Sequence, residues 1–562
     1  ATFGNSRSAA EVRKALNASE RVVRQGAILG VLSGNGSPDA ALALESLRAL
    51  AVSPDVDDRL AACRVSREVS GPQVLPLLIH LMRDRAVVVR QAALQASASH
   101  DDADLLKPLL EATDDPATGR VAERALVAHG PRSIAVLAEG LDQGDDRSIT
   151  RRQLLSTARI LGRIQGRPSL ELLRSMMTSR DEELKLEALK SLSRLCYRAE
   201  SSEQIAAHLH DEVEYAAWLA AARDNLQHVG SPAAWNILAN ALDISFRDAR
   251  SRILLFLSFL YDRTAVLRAK GALDHPSATN APMALETIDA LLPSAMKTWI
   301  LPLMENAALG DAVRRWRLAG IEIADASPGS LLRSLISVGS GARHASWARL
   351  CALHVAGRTG ERGLTSELEA IATGDDPALA AMAHWALNRF SAATAPVGGA
   401  RMLSLVEKVL ILKSAPLFAE TPDNVLAEVA GLVEEVSFDA DQVIFKKGEA
   451  GDSLYVIVSG SVKVWDGERL LNELGEGEVF GELALLDPEP RLATVKCAEP
   501  TSLLRLDAPH FREVLDSQPE VSAAIIRVIT RYLRSQLQFA REATAKLRAL
   551  ESFTPLDQHA VG

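Results

Sequence analysis

Basic residues recur at Arg59, Arg90, Arg120, Arg152 and Lys185, spaced by 31, 30, 32 and 33 residues. A period near 30 with apolar residues at helical offsets constrains the fold more than any other feature of the chain. It implies stacked helix pairs, each burying its apolar face only against its neighbours. The units open on acidic or turn residues, as in Asp84 to Leu94, Asp114 to Ala122 and Glu183 to Leu189. An aspartate at a helix start can accept from free backbone N–H groups and suits the positive end of the helix dipole. The basic residue can then bridge to an acidic neighbour in the next unit. Alanines at the repeated positions let the helices approach closely. For 562 residues, length alone would suggest roughly four domains, but a repeat array removes that division.

The pattern resembles HEAT repeats. It covers about residues 8–200 and returns at 340–390, where Gly374-Asp375-Asp376-Pro377 reopens it. Between them, 230–330 reads as longer, off-register helices punctuated by Pro282, Pro293 and Pro302, still part of one solenoid. Such arrays present an extended surface to a partner protein. His208 and His210 stand two apart and point in different directions on a helix, so they read as half-exposed rather than as metal ligands. His344, His354 and His384 read as interhelix packing, as do Trp218, Trp235, Trp299, Trp316, Trp347 and Trp385. Cys63, Cys196, Cys351 and Cys497 lie far apart, with no C-x-x-C, and read as reduced core thiols. No catalytic or metal constellation emerges, and an enzyme built on the helical half is not expected.

Net charge is -10, which argues against a nucleic-acid coat. The longest apolar run, Ile253 to Leu260, is far short of the ~20 residues that span a bilayer. A cytoplasmic location is expected. The chain begins at Ala1, which fits a processed form or a segment of a longer protein.

At 391–400 the sequence becomes small and nearly uncharged, the mark of a linker. A helix is expected over about 401–413. The periodicity then changes. Short β-branched and aromatic runs at 436–445, 453–459, 461–465, 469–474, 493–497 and 502–506 are separated by glycines. Strands of that length with glycine turns predict a small antiparallel barrel or roll. A helix resumes near Ala508, and a long amphipathic helix runs from about Glu520 to Glu551.

Within this half, G-E-A-G-D-S-L-Y-V-I-V-S-G-S-V-K-V over 448–464, followed by F-G-E-L-A-L at 480–485 and R-L-A-T-V at 491–495, resembles the cyclic nucleotide-binding domain family. The resemblance implies an α+β multidomain chain: a HEAT-like solenoid (1–390), a linker (391–400), an antiparallel β-roll with flanking helices (401–545) and a tail (546–562). It implies a site made of Phe480, Gly481, Glu482, Leu483, Ala484, Arg491, Leu492 and Ala493. Arg491 would donate to the cyclic phosphate, Glu482 would accept from the ribose 2′-hydroxyl, and the turn from Glu482 to Leu485 would aim backbone N–H groups at the phosphate. Glycine at 481 lets the backbone come close. Leu492 departs from the family, where alanine or, in guanine-preferring members, threonine follows the arginine. Its missing hydroxyl favours cAMP over cGMP. Arg531, Tyr532, Leu533 and Gln536 on the last helix are candidates to cover the base.

No cofactor is implied; the ligand is the cyclic nucleotide. The expected role is a sensing regulatory protein that acts through its HEAT-like scaffold. The alternative is an interaction scaffold whose nucleotide fold no longer binds. The domain order also resembles bacterial proteins in which both parts follow a transporter-like, nucleotide translocase-related membrane domain. That implies a membrane transporter as partner, in the same chain or another, and a place at the inner face of the membrane. The long final helix could support a homodimer.

Overall fold

The computed structural model describes residues 6–34, 39–69, 71–115, 117–142, 149–228, 233–274, 277, 279–305, 308–337, 346–374, 376–392, 403–481 and 490–508, with 511, 515, 526, 527 and 530. They form two units, Ala1–Gly398 and Gly399–Gly562. The first is helical and carries the HEAT repeats; the second holds the antiparallel sheets.

In the first unit one row of helices stacks face to face. It runs through Val56–Glu68, Val87–Ser97, Gly119–Ala128, Arg151–Leu161 and Glu182–Arg194, then Ala233–Leu260, Ser346–Thr359 and Pro377–Ala392. The row is continuous in space although the sequence pattern is not. Ala233–Leu260 packs directly on Ser346–Thr359, and the five helices of 263–336 form an excursion that leans partly on Ser202–His228. This explains the apolar run Ile253 to Leu260: its helix is packed among several others, His208 and Tyr197 meet Phe256 and Phe259, and Ile253, Leu254 and Phe256 are fully buried.

The predicted bridges form a ladder. Arg59 donates from Nε to Asp84 Oδ2 at 2.6 Å, and Arg90 donates to Asp115 at 2.9 Å. Each aspartate also fixes the turn before the next helix, Asp84 accepting from the Ala86 N–H at 2.8 Å and Asp115 from the Ala117 N–H at 2.8 Å. Asp55, paired with Arg21, and Asp181, paired with Arg151, go further: each carboxylate caps a helix start and ties it to another helix. Arg151, not the predicted Arg152, makes the corresponding bond to Asp181 at 2.5 Å, while Arg152 is exposed. Arg120 departs from the pattern. It pairs with Glu123 on its own helix at 2.9 Å, and this buried carboxylate is shared with Arg159. Arg21, outside the predicted series, extends the ladder back to Asp55.

Where the regular repeats give way to the long helices Ser202–His228 and Ala233–Leu260, four charges are buried together. Lys185 lies 2.7 Å from Glu212 and 3.4 Å from Glu182, and Arg252 lies 2.8 Å from Glu212 and 2.5 Å from Glu182. Two cations face two carboxylates, so the group is neutral, and the Arg252 guanidinium also packs over Tyr215.

Some side chains depart from the sequence reading. Cys196 is exposed and adopts φ +56, unlike the other three cysteines, which are buried. His354 is buried and stacks on Trp385 at 5.0 Å, but His384, one residue before that tryptophan, faces outward. His344 lies outside the described residues. His208 stacks on Phe256 at 5.5 Å and His210 meets the edge of Trp299 at 5.4 Å. No helix is long and apolar enough to cross a membrane, and no group of residues could hold a metal ion, among the described residues.

In the second unit Leu405–Ser414 opens on a capping box, with Ser404 and Glu407 each accepting from the other's backbone N–H. The strands are β1 (Glu434–Phe438), β2 (Val443–Phe445), β3 (Ser453–Ser459), β4 (Val462–Asp466), β5 (Arg469–Leu474), β6 (Val479–Phe480), β7 (Thr494–Cys497) and β8 (Thr501–Asp507). They form two antiparallel sheets, ordered β1-β8-β3-β6 and β2-β7-β4-β5. The run 436–445, expected as one strand, is split by a turn at Asp441, φ +67, because its halves belong to different sheets. The short β6 escapes the sequence reading because two residues carry no periodicity. The core between the sheets holds Tyr455, Ile457, Val462, Phe480, Val495, Cys497 and Leu503. The predicted linker lies mostly outside the described residues, as does the predicted long helix beyond Thr530.

Two stability outcomes follow. Burial pushes the Asp84 carboxyl up, but the bonds from Arg59 and the Ala86 N–H outweigh it and leave its pKa below the ordinary range. A depressed carboxylate contributes stability above its unfolded pKa of about 3.9, and that stability is lost as pH falls through the folded value. Acid titration of Asp84→Asn should therefore show a shallower fall in unfolding free energy below about pH 4 than wild type. Arg252→Met leaves two buried carboxylates sharing one cation and should cost about 3–5 kcal/mol in urea unfolding.

Candidate functional site

The end of β6 and the start of β7 come together around one arginine. Arg491 is 7% exposed. Its backbone is fixed on both sides, with its N–H donating to the Glu449 carbonyl and its own carbonyl accepting from the Gly448 N–H, each at 2.8 Å. From the side chain, Nη2 donates to the Ser453 carbonyl at 2.8 Å and to Ser453 Oγ at 3.2 Å, and Nη1 makes a long contact of 3.4 Å with the Gly481 carbonyl. Nε is buried with no acceptor among the described residues. The guanidinium carbon sits 4.1 Å from the centre of the Phe445 ring.

Two glycines make room for it. A Cβ on Gly481, φ +77, would stand 2.7 Å from Arg491 Nη1 and 3.0 Å from the Ser453 carbonyl oxygen. A Cβ on Gly451 would stand 2.6, 2.8 and 2.9 Å from Nε, Cδ and Cζ. Beneath them, Phe480 is buried and stacks on Tyr455 at 5.2 Å, and Phe445 lies about equally close to both rings. Burial lowers the Arg491 pKa, while the Tyr455 hydroxyl and the Asp452 carboxylate work the other way. A guanidinium nonetheless stays charged near neutral pH.

Of the predicted site residues, Gly481 and Arg491 lie against each other, and Phe480 is buried beneath, against Tyr455 and Phe445. Ala493 is half-buried beside them. Leu492 points outward at 65% exposure, so its bulk does not crowd Arg491. Glu482, Leu483 and Ala484, and the base-covering candidates Arg531, Tyr532, Leu533 and Gln536, lie outside the described residues. Sequence reasoning missed Phe445, Gly451 and Ser453. The G-D-S at 451–453 carried the signal for two of them, since a glycine and a short hydroxyl open a strand that would otherwise be continuously apolar.

The chemistry on offer is that of an anion receptor. The arginine is buried, rigidly held and charged, yet the ion pairs of the described residues do not include it.

Comparison with known proteins finds two families along this chain. Residues 435–518 match the cyclic nucleotide-binding domain family, and residues 44–130 match the HEAT repeat family. A CRP-like cAMP-activated global transcriptional regulator of Mycobacterium tuberculosis is 33% identical over 22% of this chain and 58% of its own. A cyclic nucleotide-gated potassium channel of Rhizobium etli is 36% identical over 22% of this chain and 35% of its own. The chain therefore spans only about a third to three fifths of these two relatives. The crystal structure of the N-terminal domain of a transcriptional regulator from Streptomyces coelicolor shares 33% identity over 23% of this chain and 94% of that one, with a TM-score of 0.22. This chain carries HEAT repeats and a cyclic nucleotide-binding domain.

Gly481→Ala should unfold earlier than Gly467→Ala. Both have positive φ, but only the first places a Cβ against Arg491 and the Ser453 carbonyl. Differential scanning should show a cost of about 1–3 kcal/mol from conformational strain in each and a further loss from the collision in the first.

Proposed function

We propose that the protein is a non-enzymatic sensor of a cyclic nucleotide, cAMP in preference to cGMP, that signals through its helical array. One observation carries the reading: Arg491 is a buried guanidinium whose side-chain hydrogen-bond partners among the described residues are two carbonyls and a hydroxyl, with no carboxylate among them. A buried charge without a counter-charge is costly, and a monoanionic cyclic phosphate supplies both the charge and the acceptors. Gly481 lies beside that charge, at the start of the stretch that in the family forms the phosphate-binding turn. The family match over 435–518 and the cAMP-activated regulator among the relatives support the same ligand. The leucine at 492 has no hydroxyl to hold a guanine, which favours adenine.

The array is the recipient of the signal. HEAT repeats hold partner proteins along a stacked surface, and a ligand shifts such a partner only through its different affinity for two states. A membrane transporter domain at the cytoplasmic side, in this chain or another, is the partner that the domain order favours.

Calorimetric titration with cAMP and cGMP, on wild type and Arg491→Ala, tests the ligand. Removing the arginine of a buried charge pair costs about 2–5 kcal/mol, roughly 30-fold or more in affinity. Wild type should bind cAMP more tightly than cGMP, and the variant should lose most of that affinity. A wild type that binds neither nucleotide, or a variant that binds as well, sinks the reading.

A further inference from the structure

The Arg491 side chain is packed along its length as well as held at its tip. Phe445 lies 4.1 Å from the guanidinium carbon. A Cβ on Gly451 would be nearly equidistant from Cδ, Nε and Cζ, which places that backbone over the plane of the group rather than at its edge. Ser453 and the Gly481 carbonyl hold the tip. We propose that Phe445 is a positioning residue: with Gly451 it sandwiches the Arg491 guanidinium, fixing its plane for an incoming phosphate before any ligand arrives. This deepens the cyclic-nucleotide reading and rests on it.

How Phe445 reaches that place is a matter of register. On β2, Val443 pairs with Lys496, and Phe445, two residues on, pairs with Val495, one residue back. The extra residue is a β-bulge at Ile444. In an unbroken antiparallel register Phe445 would face Thr494, which pairs with Trp465 on the other side of the sheet from the core residue Val495. A one-residue shift exchanges the faces of a strand, so the bulge turns Phe445 inward. Ile444 and Phe445 then both pack on the core. An aromatic face suits this position for two reasons. It attracts the cation through the ring quadrupole, and its flat surface allows the planar group one orientation only. An aliphatic side chain of similar size would fill the space without either effect. Preorganisation of this kind raises affinity by removing an ordering cost at binding.

The test separates positioning from simple packing. Phe445→Leu, Phe445→Trp and Arg491→Lys, with the double variant Phe445→Leu/Arg491→Lys, are titrated with cAMP in the full chain. Phe445→Leu should bind roughly 5- to 20-fold more weakly than wild type, and Phe445→Trp within about 2-fold of it. In the Arg491→Lys background, where no planar group remains to stack, Phe445→Leu should change affinity by less than about 2-fold. The Arg491 Hε resonance provides a readout without ligand. In 15N-arginine-labelled wild type and in Phe445→Trp it should be shifted upfield by the ring and protected from solvent exchange, and in Phe445→Leu the shift should vanish. Equal binding by Phe445→Leu and wild type, an equal loss in the lysine background, or an Hε resonance unmoved by Phe445→Leu overturns the positioning role and leaves the sensing reading standing. A wild type that binds neither nucleotide overturns the sensing reading and the positioning role with it.

Discussion

A charge removed from water must be answered by something, and the two units of this chain answer it differently. In the solenoid every buried cation of the ladder finds a carboxylate, and at Asp55 and Asp181 that carboxylate also closes a helix start. In the roll, Arg491 is answered by carbonyls, a hydroxyl and an aromatic face. The first arrangement is self-sufficient and therefore structural. The second has no carboxylate among the described residues, and it is there that the proposed anion would be held.

The two arrangements also differ in what holds them. The ladder is local: each rung links neighbouring repeats, so stability is spread along the array as nearest-neighbour terms. The buried quartet of Glu182, Lys185, Glu212 and Arg252 is the exception, because it joins the last regular repeat to the two long helices at one point. The receptor around Arg491 is assembled from β2, β3, β6 and the approach to β7, segments drawn from both sheets. Its geometry depends on the closure of the roll, and no single hairpin would produce it.

Much of this was legible in the sequence. The 30-residue period exposed the array because each rung needs a cation and an acid at fixed places on successive helices. The meeting of Gly481 and Arg491 was legible through the resemblance of F-G-E-L-A-L and R-L-A-T-V to a known domain, and because close backbone approach restricts a position to glycine. What escaped was set by register and by packing across sequence distance. Phe445 read as an ordinary strand residue, since nothing in V-I-F-K-K announces a bulge. Arg151 was passed over for Arg152, because adjacent arginines differ only in which side of the helix they occupy. Cys196 read as a core thiol because burial is the usual fate of a free cysteine. The continuity of the helical row was hidden by the 263–336 excursion, which breaks the period without breaking the stack.

That excursion has a kinetic consequence. In an ordinary repeat array each unit can dock on its predecessor as the chain is made, and folding proceeds from one end. Here the Ser346 N–H donates to Glu183 across 163 residues, and Ser346–Thr359 seats itself on Ala233–Leu260 only after the intervening helices have been synthesised. The row is thus assembled in two instalments separated by a long loop closure, and the apolar flank of Ala233–Leu260 stays open between them. At ordinary elongation rates of about 5–20 residues per second, the some 90 residues from the end of that helix to Ser346 leave it uncovered for several seconds. In the nascent chain, the interval most exposed to misassembly lies in the middle of the solenoid, not at its ends.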